Sequence, residues 1–134
     1  MKTPEQWWTD HYPVEAASLK DASDSECIKH SMAKFKGFLP ENLPNGWLYL
    51  DHCLFGPNGD LQLTVNEESC ALCQKYPSNK CENADGNFCP IKRFTGNTCD
   101  DSGSTPYQLY RLSSDNPQPM LDLLSLTLLM EGDN

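Results

Sequence analysis

Cys70-Ala71-Leu72-Cys73-Gln74-Lys75-Tyr76-Pro77, followed by Cys81, Cys89-Pro90 and Cys99, is the stretch on which the reading of this chain turns. Five of the seven cysteines fall in it, among Pro77, Pro90, Gly86 and Gly96, with no sustained apolar period. A segment of roughly 35 residues without regular structure cannot pack itself, so something other than a hydrophobic core must order it. Cys70 and Cys73 have the C-x2-C spacing of a metal knuckle, in which two thiolates point at one ion while backbone amides donate to the sulfurs. An odd cysteine count without an export signal argues for reduced thiols and metal ligation rather than a disulfide framework.

Zinc is the expected metal. Thiolate-rich tetrahedral sites suit it, and no His lies inside the module. An iron–sulfur cluster is the competitor, because Cys89-Pro90 resembles ferredoxin-type ligation, but the irregular spacing does not match the tight ferredoxin run. The expected ligands are Cys70, Cys73, Cys81 and Cys89, with Cys99 as the alternative fourth. Cys27 and Cys53 read as core residues. An all-Cys site is ordinarily closed, and His52 next to Cys53 points to the opposite face of a strand, so no catalytic zinc and no Cys–His nucleophile are expected.

Outward from the module the chain is more regular. Thr3, Pro4 and Gln6 announce a short helix carrying Trp7 and Trp8, and Ser23 with Glu26 opens a longer one through Ile28, Met32 and Phe35 that stops at Gly37. The apolar run Trp47 to Phe55 and the alternating Leu61, Leu63, Val65, joined by Gly56 to Asp60, read as a β-hairpin. Thr105, Pro106 and Gln108 start a helix to about Leu112, and Asn116-Pro117 leads into a last one ending near Met130. The expected fold is α+β in a single domain: a helical part (1–45), a hairpin (46–68), a zinc-stapled cysteine module (69–105) and C-terminal helices (106–131).

With 134 residues and a formal charge of −9 the chain is one domain long and acidic. Leu, Ile, Val and Phe make up only about 19% of it, near the level at which chains stay disordered, while three Trp and five Tyr argue for a fold. The thin core is what a metal would compensate. No apolar run reaches a membrane span, and the protein is expected to be cytoplasmic. Charge is uneven: residues 69–99 carry four cations against Glu82 and Asp85, so the rest of the chain is strongly negative. Duplex nucleic acid is therefore disfavoured as a partner. A local anion site is expected where His30 and Lys34 share a helix face, with Tyr107, Tyr110 and Arg111 as stacking and fork-donor partners. In the last helix, Leu121, Leu124 and Leu128 define one apolar face and Leu123, Leu126 and Met130 a second. That second face is expected to pack against another copy in a homodimer.

The segment His30-Ser31-Met32-Ala33-Lys34-Phe35-Lys36-Gly37-Phe38, continuing to Pro40-Glu41-Asn42-Leu43, resembles the opening of small cysteine-rich proteins of tailed phages and prophages. In those proteins a helix ending H-S-x-x-K-[FW]-x-G-L precedes a P-E-x-L turn. Cys70 to Cys73, Cys89-Pro90-Ile91, Cys99 and Thr105-Pro106-Tyr107 resemble their second half, as does Asn116-Pro117-Gln118-Pro119-Met120. Phe38 replaces the usual Leu, and the gap from Cys81 to Cys89 is longer than in that group. The resemblance implies a non-enzymatic accessory protein that acts by binding, and the expected role is that of a counter-defence protein that sequesters a small anionic, nucleotide-like signal of host immunity. The alternative is an acidic inhibitor or adaptor acting on a host protein.

Overall fold

Thr3 accepts the backbone N–H of Gln6 while the Gln6 side chain accepts that of Thr3, so a complete capping box starts α1 (Pro4–His11). Ser23 caps α2 (Asp24–Lys36) by accepting from the Glu26 N–H. The structure is a computed structural model that describes residues 2–77, 82, 83, 85–97 and 105–131. Trp7 is fully buried where α1 meets the end of α2, beside Trp47 and Phe38, and its Nε1–H donates to the Gly37 carbonyl at 2.8 Å. Gly37 ends α2 with φ −64°, not as a left-handed cap. Close approach is what demands glycine here: a Cβ would stand 2.7 Å from the His11 ring and 2.8 Å from Trp7 Nε1.

The run expected to form one strand of a hairpin forms two. β1 (Leu48–Leu50), β2 (Cys53–Phe55) and β3 (Leu61–Thr64) make an antiparallel sheet in sequence order, with Tyr49 opposite Leu54. The reversal occurs at Asp51 and His52, with φ of 52° and 59°. Two such residues are the geometry of a tight hairpin turn, normally signalled by Asn-Gly or Asp-Gly. Here the strain, about 1 kcal/mol or more per residue, is offset by tertiary bonds to His52. Its N–H donates to the Ser114 carbonyl at 2.8 Å, its Nε2 lies 2.7 Å from the Tyr110 carbonyl, and its ring stacks on Tyr110 at 4.2 Å.

The cysteine-rich segment is also more regular than expected. It contains α3 (Ala71–Lys75), capped by Cys70, and α4 (Pro90–Thr95), which begins with Pro90 at its first position and ends on Gly96 at φ 81°. α5 (Thr105–Leu112) and α6 (Gln118–Met130) follow where the capping signals put them. α6 packs along α2, with α4 and α5 beside it. The fold is α+β, and its core runs from Trp7, Ile28 and Phe35 through Tyr49 and Leu54 to Leu72, Leu121 and Leu124. α6 buries Leu123 as well as Leu121 and Leu124, and leaves Leu126, Leu129 and Met130 half to two-thirds exposed. The expected second face is thus split: Leu123 belongs to the core, while Leu126 and Met130 look outward. Among the described residues no helix is long and apolar enough to cross a membrane.

Candidate thiol site and adjoining cavity

Cys70 follows a short 3-10 turn, Glu67–Ser69, that fixes its direction. The Asn66 side chain accepts from the N–H groups of Glu68 and Ser69, and the Ser69 hydroxyl donates to the Thr64 carbonyl at 2.7 Å. The Cys73 N–H then donates to Cys70 Sγ at 3.4 Å, the amide-to-sulfur contact that the C-x2-C spacing implies. The Cys70 thiol is pushed down to about 6, chiefly by its hydrogen bond with Cys73, against burial and with help from the Lys34 ammonium. Cys27 behaves oppositely. Burial raises it to about 11, and its Sγ donates to the Leu19 carbonyl, as befits the core thiol expected from the sequence.

Cys70, Cys73 and Cys89 line a cavity of about 330 Å³ between α2, α3, α4 and α6, at the small end of ligand pockets. Ser31, Lys34 and Phe35 enter it from one face of α2, three and four residues apart. Most of the remaining wall is apolar, from Val65, Leu72, Ile91, Met120 and Leu124, while Glu67 and Glu68 add carboxylates. Ser31 is buried with its Oγ hydrogen-bonded to nothing among the described residues, although a helical serine can bond back to a carbonyl one turn earlier.

Lys34 is the decisive side chain. It is 1% exposed, and its Nζ donates to the Ser69 carbonyl at 2.9 Å and the Ser69 hydroxyl at 3.4 Å. Among the described residues no carboxylate stands within ion-pair distance of it, whereas Lys75 meets Asp24 at 2.9 Å and Arg93 meets both Asp24 and Glu131. Burial lowers the Lys34 pKa from its ordinary value, and the sulfurs of Cys70 and Cys73 are the groups that oppose this.

The expected anion site is thereby rearranged. His30 and Lys34 both lie on the inner side of α2, not on a solvated cationic face, because that side packs against α1, α3 and α6. His30 is turned away from the cavity: its Nε2 bonds the Val14 carbonyl at 2.8 Å and its ring stands 4.9 Å from that of Tyr12. Tyr110 does reach the cavity, with its hydroxyl on the Val65 carbonyl. Tyr107 and Arg111 pair with each other on α5, guanidinium to ring centroid 6.0 Å, and do not line the cavity. Glu67 and Glu68 carry no motif in the sequence, and Ser31 stands there only as part of the H-S-x-x-K stretch.

Of the expected metal ligands, Cys70, Cys73 and Cys89 all line this cavity. Cys81 and Cys99 lie outside the described residues. Among the described residues no group of three or more His, Cys, Asp or Glu side chains is arranged to hold a metal ion. No protein-family model, curated protein or solved structure matches the chain.

Proposed function

We propose that this chain is a non-enzymatic binding module stapled by zinc. In this reading Cys70, Cys73 and Cys89 hold the metal with Cys81, or alternatively Cys99, and the adjoining cavity takes a small ligand. The observation that carries the reading is the buried ammonium of Lys34. A charge taken out of water costs several kcal/mol unless an opposite charge answers it. Lys34 shares its cavity with Cys70, Cys73 and Cys89, and thiolates are what a metal knuckle supplies. Thiolate ligands favour zinc over harder cations. When bound, the ion would contribute folding free energy on the order of 10 kcal/mol, which suits a chain with so few aliphatic residues.

A binding role is supported by the histidines. None of His11, His30 and His52 lines the cavity with the thiols, and each bonds a backbone carbonyl, of Ala33, Val14 and Tyr110. The cavity's charge pattern bears on the ligand. Lys34 is shared with the thiols, and Glu67 and Glu68 repel anions, so a small molecule with an apolar body and at most one charge fits better than a polyphosphate nucleotide. A counter-defence setting is suggested by the phage resemblance alone. The second reading, an acidic inhibitor or adaptor for a host protein, is favoured by the exposed Leu126, Leu129 and Met130 on a chain of charge −9.

Native mass spectrometry of gently purified protein tests the proposal. The expected species is the chain with one zinc and a heat-releasable small molecule, and Leu124→Phe, which fills the cavity, should remove the molecule and keep the zinc. A bound polyphosphate would overturn the ligand class. Protein with neither zinc nor small molecule would overturn the binding-module reading in favour of the second one.

A further inference from the structure

We infer that the cavity takes a small molecule with an apolar body and a single carboxylate, the carboxylate seated on Ser31 and Lys34. The inference rests on the reading of the cavity as a ligand site and needs no metal on the thiols. Two buried donors on one face of α2 carry it. Lys34 is 1% exposed and Ser31 2%, and both line the cavity, three residues apart in sequence. Among the described residues Lys34 donates only to the Ser69 carbonyl and hydroxyl, so one of its three ammonium protons is unspent. The Ser31 hydroxyl has no partner among them at all. A buried donor left without an acceptor costs free energy, and a buried ammonium without a countercharge costs more.

A carboxylate supplies what this wall lacks. Its two oxygens accept one proton from each donor, and its charge answers the ammonium. Opposite the donors the lining suits an apolar body: Leu72, Ile91, Met120 and Leu124 have no polar atoms to satisfy, and Tyr110 turns its hydroxyl to the Val65 carbonyl. Cys70, Cys73 and Cys89 border the same space, yet Lys34 donates to none of them. Glu67 and Glu68 line the cavity but are exposed, which puts them at its mouth. A second anionic group on the ligand would lie against these carboxylates or against the apolar wall, so a monocarboxylate is preferred over a phosphate or a diacid.

The test is titration calorimetry of the full chain with three probes of one chain length: hexanoate, hexanamide and hexylamine. Wild-type protein should bind hexanoate about tenfold more tightly than hexanamide, the difference between a charged and a neutral hydrogen-bonded head group, and hexylamine not measurably. Lys34→Met keeps the apolar stem and removes the charge, and should level hexanoate with hexanamide. Ser31→Ala serves as the second variant should Lys34→Met not fold. It should weaken hexanoate by about tenfold without lowering the melting temperature, since the hydroxyl it removes bonds nothing in the free chain. Equal affinity of wild-type protein for hexanoate and hexanamide, or wild-type hexanoate affinity in either variant, would overturn the inference while the cavity stands as a ligand site. Binding of none of the three would overturn it too, and the molecule released by heat from the purified chain would then decide the wider binding reading alone.

Discussion

Arg93 Nη2 stands 2.6 Å from Asp24 Oδ2, tying α4 of the cysteine-rich segment to the first turn of α2. Asp24 also accepts from the Tyr76 hydroxyl at 2.7 Å and pairs with Lys75 at 2.9 Å, while Arg93 reaches on to Glu131 at 3.1 Å beyond the end of α6. One carboxylate therefore joins α2, α3 and α4, and Arg93 extends the network to α6. Burial alone would raise the Asp24 pKa, but Tyr76, Lys75 and Arg93 outweigh it and hold the carboxyl below its ordinary value.

Asp24→Asn should cost about 1–3 kcal/mol in urea unfolding at neutral pH, since it breaks several bonds to a charged, mostly buried group. A carboxyl whose folded pKa is depressed stabilises fully above its unfolded value and loses that contribution as pH falls through the folded one. The gap between wild type and Asp24→Asn should therefore be constant near neutrality and close below about pH 4. A gap independent of pH down to 2 would show that the charge of Asp24 does not matter.

His11 and His30 predict a second, milder pH dependence. Burial lowers both from the ordinary histidine value. The Val14 carbonyl requires a proton on His30 Nε2, which leaves a buried Nδ1 with no partner and no acceptor for a second proton among the described residues. The unfolded chain takes up protons before the folded one, so stability should fall as pH drops below about 6.5. His30→Gln should flatten that slope while lowering stability at pH 8. An unchanged slope would place the effect elsewhere.

Capping residues carried most of what could be read in advance. Thr3 with Gln6, and Ser23, act through neighbours within a few residues, so their helices begin where the sequence puts them, and the helices from Thr105 and Gln118 also start close to their sequence signals. The Asp51-His52 turn was illegible because its stabilisation comes from Tyr110 and Ser114, some sixty residues away. The burial of Lys34 is not legible in the sequence for a related reason. Its spacing from His30 showed a shared face, but only the packing of α3 and α6 shows that this face is internal. Ser31 stands in the H-S-x-x-K stretch, but nothing in its spacing shows that it faces a cavity.

The exposed strip of α6 leads to a prediction on assembly. Leu126, Leu129 and Met130 lie on one side of the helix, three and four residues apart, and are 52–65% exposed. Such a strip is expected to pair with its own copy about a two-fold axis. Static light scattering at micromolar concentration should return twice the chain mass, and Leu126→Glu should return monomer with zinc retained. A wild-type monomer would refute the dimer.

The claim tested most directly is that a metal on the thiols orders the cysteine-rich segment. Purified protein should contain about one zinc per chain by elemental analysis, and its removal with a strong chelator, or Cys73→Ser, should abolish cooperative melting of the module. Metal-free protein that melts cooperatively at the temperature of the untreated chain would contradict the account.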